Sequence, residues 1–519
     1  MFIKDKVKYS ELYILVLLSI SYRIIIYFLF GDGHFNIQPQ QQYINLIKDK
    51  FLVISNIIHT KPIGVILNDR FSIIFSELID INYIKLRFIF ISFLNIFSTI
   101  LLYILIRDIF KVQKNISLIS TIFYSFSLVT FEYWRFSGHF DHTNIFLITS
   151  LIFLTIYLIK RKFNLLSVIL LSIDIILFST YYTLSLVPII VSLVFIGFNV
   201  FYKKKNTLNF FLYFFLIIIF FSSYFLLVQK NYKNLAIPYT STVQGQNLLQ
   251  FSNSNGFFTP NEIIDFINNG DYPKWYKLCA NNAFSKYGDF ESIVYGECIF
   301  IPNKSNRINE YDIEFLKYLK SISPLDIQKI IDKDLYNVSE YPQILKSFGV
   351  PESNLFFSAE YGKISKKLSR QILFSFPYNS LFRNLKNSID HLIIKGSFFF
   401  EGKNYEPQLI NLPYFHGLNG KLIGIIFLLS SFLSIILSIL FFKGIVYFVF
   451  NKNLNIFKIR NFDLDEIKLY ILLMIFSLIL AISISTCCEN ARMFVIISPL
   501  TFISFSFLFN NLSYNEKND

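Results

Sequence analysis

Acids, histidines and arginines gather at a few points beside long apolar runs. The first point is Gly31-Asp32-Gly33-His34-Phe35-Asn36, where the apolar run Tyr13 to Phe30 ends. An acid there, partly withdrawn from water at a membrane interface, is placed to act as a general base. The plain alternative is a solvated turn residue, and Gly31 and Gly33 suit a tight turn under either reading. His34 beside it could bind substrate or a metal. The same loop continues through Gln38-Pro39-Gln40-Gln41-Gln42-Tyr43 and Thr60-Lys61-Pro62-Ile63-Gly64 before the chain turns back at Tyr83.

A second polar knot, Trp134-Arg135-Phe136-Ser137-Gly138-His139-Phe140-Asp141-His142-Thr143-Asn144, lies between two further apolar runs. His139, Asp141 and His142 could ligate a divalent metal, but ligands so close in sequence cannot all converge on one ion without help from elsewhere. Asp141 reads better as a second acid or a hydrogen-bonding site for substrate. A third point is Cys488-Glu489-Asn490-Ala491-Arg492-Met493. Arg492 at a membrane boundary could clamp a phosphate through paired N–H bonds, or simply anchor the interface opposite Glu489. Arg135 and Lys61 are further phosphate candidates. Two charges fall inside apolar runs, where they are costly: Arg23, close enough to the outer end to snorkel or meet a lipid headgroup, and Asp174, which reads better as a hydrogen-bonding partner between helices than as a proton relay.

These residues need a scaffold, and the composition defines it. The chain has 519 residues, 54% of them hydrophobic, with 63 Phe and a mean hydropathy of +0.49. That is far more apolar than a soluble chain, so the sequence predicts an all-α polytopic membrane protein. Runs of about 20 residues can span a bilayer, and about ten occur: Tyr13 to Phe30, Phe88 to Ile106, Ile116 to Trp134, Thr143 to Ile159, Leu165 to Phe178, Leu184 to Phe201, Leu208 to Val228, Leu422 to Phe450, Leu469 to Ser485 and Met493 to Leu512. The first is read as a retained helix, since no small-residue cleavage site follows it.

The net charge of +13 does not point to nucleic acid, because the cations sit beside apolar runs. Lys4, Lys6 and Lys8, then Arg107, Lys111 and Lys114, then Lys160-Arg161-Lys162, then Lys203-Lys204-Lys205 all fall on one face if the spans alternate. The positive-inside bias makes that face, and both termini, cytoplasmic. The organisation is then an N-terminal membrane module, residues 1–228, with a candidate catalytic loop at 31–83; an extracytoplasmic domain, 229–420; and C-terminal membrane helices, 421–519. The middle segment carries turn signals at Asn268-Asn269-Gly270-Asp271 and a helical stretch from Tyr311 to Leu319, which predicts a mixed α or α+β cap. All six His, with Cys279, Cys298, Cys487 and Cys488, fall outside the cytoplasm in this topology. One bridge, Cys279 to Cys298, is an open possibility. No Gly-rich phosphate loop occurs, so a cytosolic nucleotide-dependent reaction is not expected.

In layout these motifs resemble the C-type polytopic glycosyltransferases that use a polyprenyl-phosphate sugar, the group of the dolichyl-phosphate-mannose protein mannosyltransferases and the bacterial aminoarabinose transferase. Gly31-Asp32 with Tyr43 is similar to that family's opening acid and tyrosine. Thr60-Lys61-Pro62-Ile63-Gly64 is similar to its Lys-Pro-Pro-Gly segment, with Ile63 in place of a second proline. Arg87-Phe88 with Asn95, Leu102-Tyr103 and Arg107 to Phe110 resemble its second helix, Ser137-Gly138 with Ile145-Phe146 the start of its fourth, and Glu489-Asn490-Ala491-Arg492 with Pro499-Leu500 its last. The family's acid near the start of the fourth helix has only Asp141, slightly displaced, as its counterpart.

The resemblance implies an inverting transfer in which Asp32 takes a proton from the acceptor hydroxyl or amine and the lipid phosphate leaves. Asp141 would be the second acid, and His34, Tyr43, Lys61, Arg135, His139, His142, Glu489 and Arg492 would bind substrate. The implied partners are a polyprenyl-phosphate sugar donor, membrane lipid, and a lipid, glycan or protein acceptor, with no nucleic acid. A divalent cation could assist, though no spacing requires one. The far compartment is a bacterial periplasm or an ER lumen, and few Cys and a short chain lean towards a bacterial inner membrane. The rival reading is a polytopic transporter or lipid-linked glycan flippase with no bond chemistry; against it stand the lack of an inverted repeat and the large external segment.

Overall fold

The computed structural model describes residues 9–30, 63–135, 141–160, 163–181, 185–202, 206–235, 244–253, 256–295, 310, 314, 317–318, 355–375, 462–485, 499–500, 502–503 and 506. Every regular element among them is helical. In a hydrocarbon layer backbone N–H and C=O groups have no water to pair with. An apolar segment therefore closes its hydrogen bonds within itself, even when it is rich in β-branched Ile. The apolar runs accordingly appear as α1 (Tyr9–Phe30), α3 (Tyr83–Ile104), α4 (Lys114–Arg135), α5 (Asp141–Lys160), α6 (Leu165–Tyr181), α7 (Leu186–Tyr202), α8 (Thr207–Leu235) and α14 (Phe462–Ser485).

Three of the described spans are long and apolar enough to cross a membrane: Ile89–Ile109, Thr143–Lys160 and Thr207–Lys230. Apolar helices at Leu165–Tyr181, Leu186–Tyr202 and Leu469–Ile479 are shorter. Of the remaining runs, Leu422 to Phe450 lies outside the described residues and Met493 to Leu512 lies mostly so, with helical backbone at 499–500, 502–503 and 506.

The bundle is organised around α5. Of the span Thr143–Lys160, 83% is buried inside the protein, against 22% of Thr207–Lys230. The first is therefore central and the second peripheral. Ile148, Leu151 and Ile152 of α5 share one core with Leu171 and Ile175 of α6, Leu193 and Ile196 of α7, and Ile471 and Met474 of α14. Hydroxyls enter this core because they bond back to their own helix: Thr99 to the Asn95 carbonyl at 2.8 Å, Thr121 to Ser117 at 2.8 Å, Thr149 to Ile145 at 2.6 Å. Others bond between helices. Ser98 of α3 meets the Tyr124 hydroxyl of α4 at 2.7 Å and donates to Thr149 of α5 at 2.9 Å, and Ser192 of α7 meets the Tyr470 hydroxyl of α14 at 2.8 Å. Such pairs contribute roughly 0.6 kcal/mol each.

Short connections make α3 to α6 successive hairpins, so the helices share two ends. At one end α3 closes with a π-helical turn, Leu105–Ile109. Arg107 caps that turn by donating to the Val112 carbonyl at 2.9 Å, and Lys111 takes a left-handed φ of 57° to reverse the chain. Buried Glu11 of α1 pairs there with Lys114 Nζ at 3.0 Å and accepts a hydrogen bond from the Tyr103 hydroxyl. Burial works against ionisation of Glu11, but the bonds from Tyr103 and Lys114, with the Lys114 charge, outweigh it and hold the carboxyl below its ordinary range. Arg107, Lys111, Lys114 and Lys160 therefore gather at one end of the bundle, as the alternating reading of the sequence expects.

The cap segment is helical in every described part; no strand of an α+β fold occurs among the described residues. It comprises α9 (Gln244–Ser252), α10 (Pro260–Asn269), α11 (Lys274–Tyr287), α12 (Phe290–Tyr295) and α13 (Leu355–Ser375). The start of α10 is written in Thr259-Pro260-Asn261-Glu262: Thr259 and Glu262 form a reciprocal capping box and Pro260 occupies the first turn. The turn signal around Gly270 ends the same helix, and Gly288 ends α11 with a φ of 73°. Ile263, Ile267, Trp275, Tyr276, Tyr361 and Leu368 make the cap's own core. Cys279, fully buried, is disulfide-bonded; Cys298, its expected partner, lies outside the described residues. α9 also packs on α14, which joins the cap to the membrane bundle.

Candidate functional site

The end of the bundle opposite the lysines collects the start of α3 at Tyr83, the end of α4 at Arg135, the start of α5 at Asp141 and the end of α6 at Tyr181. The first loop returns to this end as a helix that its mixed composition did not reveal, α2 (Ile63–Leu78), packed on α3 and α6. Its register is fixed by a close approach. A Cβ on Gly64 would lie 2.4 Å from Tyr181 Cδ2, so only a hydrogen fits against that ring. Asp69 of α2, 3% exposed, accepts a hydrogen bond from the Tyr83 hydroxyl at 2.9 Å and pins the helix to the start of α3. Lys61 and Pro62 immediately precede α2 but lie outside the described residues.

Arg135 is the last residue of α4, and Asp141 and His142 are the first two of α5. The polar knot is thus split between two helix ends that the hairpin brings to the same side. Asp32, His34, Tyr43, His139, Glu489 and Arg492 lie outside the described residues. No group of His, Cys, Asp and Glu among the described residues could hold a metal ion.

Below this end the bundle interior holds polar side chains. Arg23 of α1, about two turns below Phe30, is only 5% exposed. Rather than snorkelling to a headgroup it turns inward. Its Nη1 donates to the Ser19 carbonyl at 3.0 Å and to Ser125 Oγ of α4 at 3.5 Å, while Ser19 and Ser125 hydroxyls meet at 2.8 Å. A guanidinium buried at this depth is a fixed positive charge beneath the site. Asn144, about one turn into α5, is fully buried, and among the described residues neither its Oδ1 nor its Nδ2 has a hydrogen-bond partner.

Asp174 of α6 lies deeper and accepts a hydrogen bond from Ser150 of α5, the role between helices expected for it. Nothing in the linear spacing marks Asn144, Asp69 or Glu11 above other polar residues. Their burial depends on which helix faces which.

The arrangement at this end therefore combines an acid-bearing helix start, a buried cation and an unpaired amide within an apolar bundle. No family model matches the chain, and no curated protein or solved structure matches it.

Proposed function

We propose that the chain is an integral-membrane inverting glycosyltransferase, with about ten spans, that moves a sugar from a polyprenyl-phosphate carrier to a hydroxyl or amine acceptor on the non-cytoplasmic face. In this reading both termini and the lysine-rich end of the bundle are cytoplasmic, the membrane is a bacterial inner membrane, and the helical cap covers the opposite end. Asp32 takes the acceptor proton as the acceptor attacks the anomeric carbon. The bond from that carbon to the phosphate oxygen breaks, and the departing phosphate needs charge neutralisation more than protonation. Arg492, Arg135 or Lys61 supplies it, and Asp141 and the histidines His34, His139 and His142 bind the sugar or acceptor with Tyr43 and Glu489.

The observation that carries the reading is the convergence at one end of the bundle: α2, which follows Lys61-Pro62, packs on the end of α6 beside the start of α5 at Asp141. Two motifs far apart in the chain, each singled out for chemistry, thus share one end, above buried Arg23.

The test is transfer of radiolabelled sugar from polyprenyl-phosphate donors in membranes carrying the wild type or Asp32→Asn. Loss of a general base should slow transfer about 10²- to 10⁴-fold. Unchanged transfer in the variant would remove Asp32 as the base. Wild type that consumes no lipid-linked sugar, yet moves it across liposome membranes, would replace the transferase reading with the flippase.

A further inference from the structure

The side-chain amide of Asn144 is packed away from water with no hydrogen-bond partner among the described residues. On the same helix the buried hydroxyls of Thr149 and Ser150 are satisfied, Thr149 by the Ile145 carbonyl and Ser150 by the Leu147 carbonyl and Asp174. Asn144, at 0% exposure, leaves both ends of its amide unmatched, which no other buried side-chain amide among the described residues does. An amide retained in an apolar interior without protein partners signals a partner supplied from outside. Side chains on a helix lean towards its N-terminus, so this amide lies over the first turn of α5, where backbone N–H groups have no partner within the helix.

The chemistry of the amide narrows the partner. It presents a donor and an acceptor side by side. A phosphate, which only accepts, would leave Oδ1 unmatched, a cation would leave Nδ2 unmatched, and a lipid tail would leave both. Neighbouring hydroxyls, each able to donate and accept, match both. We propose that Asn144 reads a pair of adjacent hydroxyls on the sugar of the lipid-linked donor and so sets which sugar is accepted. This assignment rests on the transferase reading.

The experiment uses the full chain in nanodiscs, with a polyprenyl-phosphate hexose that the wild type turns over and its monodeoxy analogues. A site built to bond a substrate hydroxyl rejects the analogue lacking it, because its own polar atoms are then stranded. Wild type should discriminate against at least one analogue by about tenfold or more, and Asn144→Ala should raise KM for the parent sugar by a similar factor while abolishing that discrimination. If Asn144→Ala does not fold, Asn144→Asp, which keeps the shape and removes the donor, is read in the same way. Normal turnover with the wild-type KM and unchanged discrimination in the variant overturns this assignment alone, and leaves the amide a site for water. Absence of any sugar transfer by the wild type overturns the transferase reading itself.

Discussion

Glu11 is 3% exposed, and it survives as a carboxylate in the first turn of α1 because Tyr103 and Lys114 both engage it. The unfolded chain returns it to its ordinary value of 4.5, whereas the folded chain holds it lower. Stability from this group is therefore present above about pH 4.5 and is lost as pH falls through the folded value. Thermal unfolding of the detergent-solubilised protein should show a fall in Tm on acidification below that point. Glu11→Gln should lower Tm at neutral pH and remove that part of the acid dependence; an unaltered acid profile in the variant would assign the effect elsewhere. The same residue-scale accounting separates Asp174, one of whose oxygens is bonded across helices by Ser150, from Asn144, neither end of whose amide has a partner among the described residues.

At the scale of elements, the position of α2 depends on contacts made at its start and near its middle. Gly64 lies against the Tyr181 ring and Asp69 under the Tyr83 hydroxyl. A methyl at Gly64 requires the Tyr181 ring to move, so Gly64→Ala should loosen α2 and expose it to protease. The effect should be much smaller in a Tyr181→Ala background, where the space is open. A double-mutant cycle read by limited proteolysis measures that coupling, and additive effects would show that α2 is held by other contacts. In the cap, removing the Thr259 side chain with Thr259→Ala breaks the capping box of α10. The expected loss is roughly 1 kcal/mol, visible as a lower urea midpoint for the cap with little change in the membrane bundle.

For the whole molecule, the membrane bundle and the cap rest on different physics. The bundle is held by packing around α5 and by hydroxyl pairs, and the cap by an aqueous-type core of Trp275, Tyr276 and Tyr361 with its disulfide-bonded Cys279. Tyrosines give the cap an alkaline limit. Burial, helped by the Asp271 charge, pushes the Tyr272 hydroxyl up to about 12, and the hydroxyl donates a hydrogen bond to Gln371 Oε1. Unfolded, it ionises at its ordinary value of 10.0. Between those values the folded state keeps a proton that the unfolded state has lost, so stability is full below pH 10 and falls as pH rises towards about 12. Near-ultraviolet circular dichroism of the tyrosines should collapse across that window, and Tyr272→Phe should move the collapse to higher pH.

Composition and period alone determined that this chain is helical and apolar enough to enter a membrane, because a lipid layer permits a long apolar segment little else. Charge placement alone also separated the lysine-rich connections from the face carrying Asp141 and Arg135, since each hairpin reverses direction once. Local chemistry marked the end of α10 at Gly270, where a helix boundary needs only neighbours in sequence. Tertiary structure decided the rest. The helix at Ile63–Leu78 was hidden because its stability comes from α3 and α6 and not from its own composition. Arg23, legible as an intramembrane charge, could not be assigned a direction until Ser19 and Ser125 faced it. Asn144 and Glu11 are ordinary polar residues until packing removes their water. Whether such a group is then paired, as Glu11 is, or left open, as Asn144 is, depends on what neighbouring helices present, and that is fixed only by their three-dimensional arrangement.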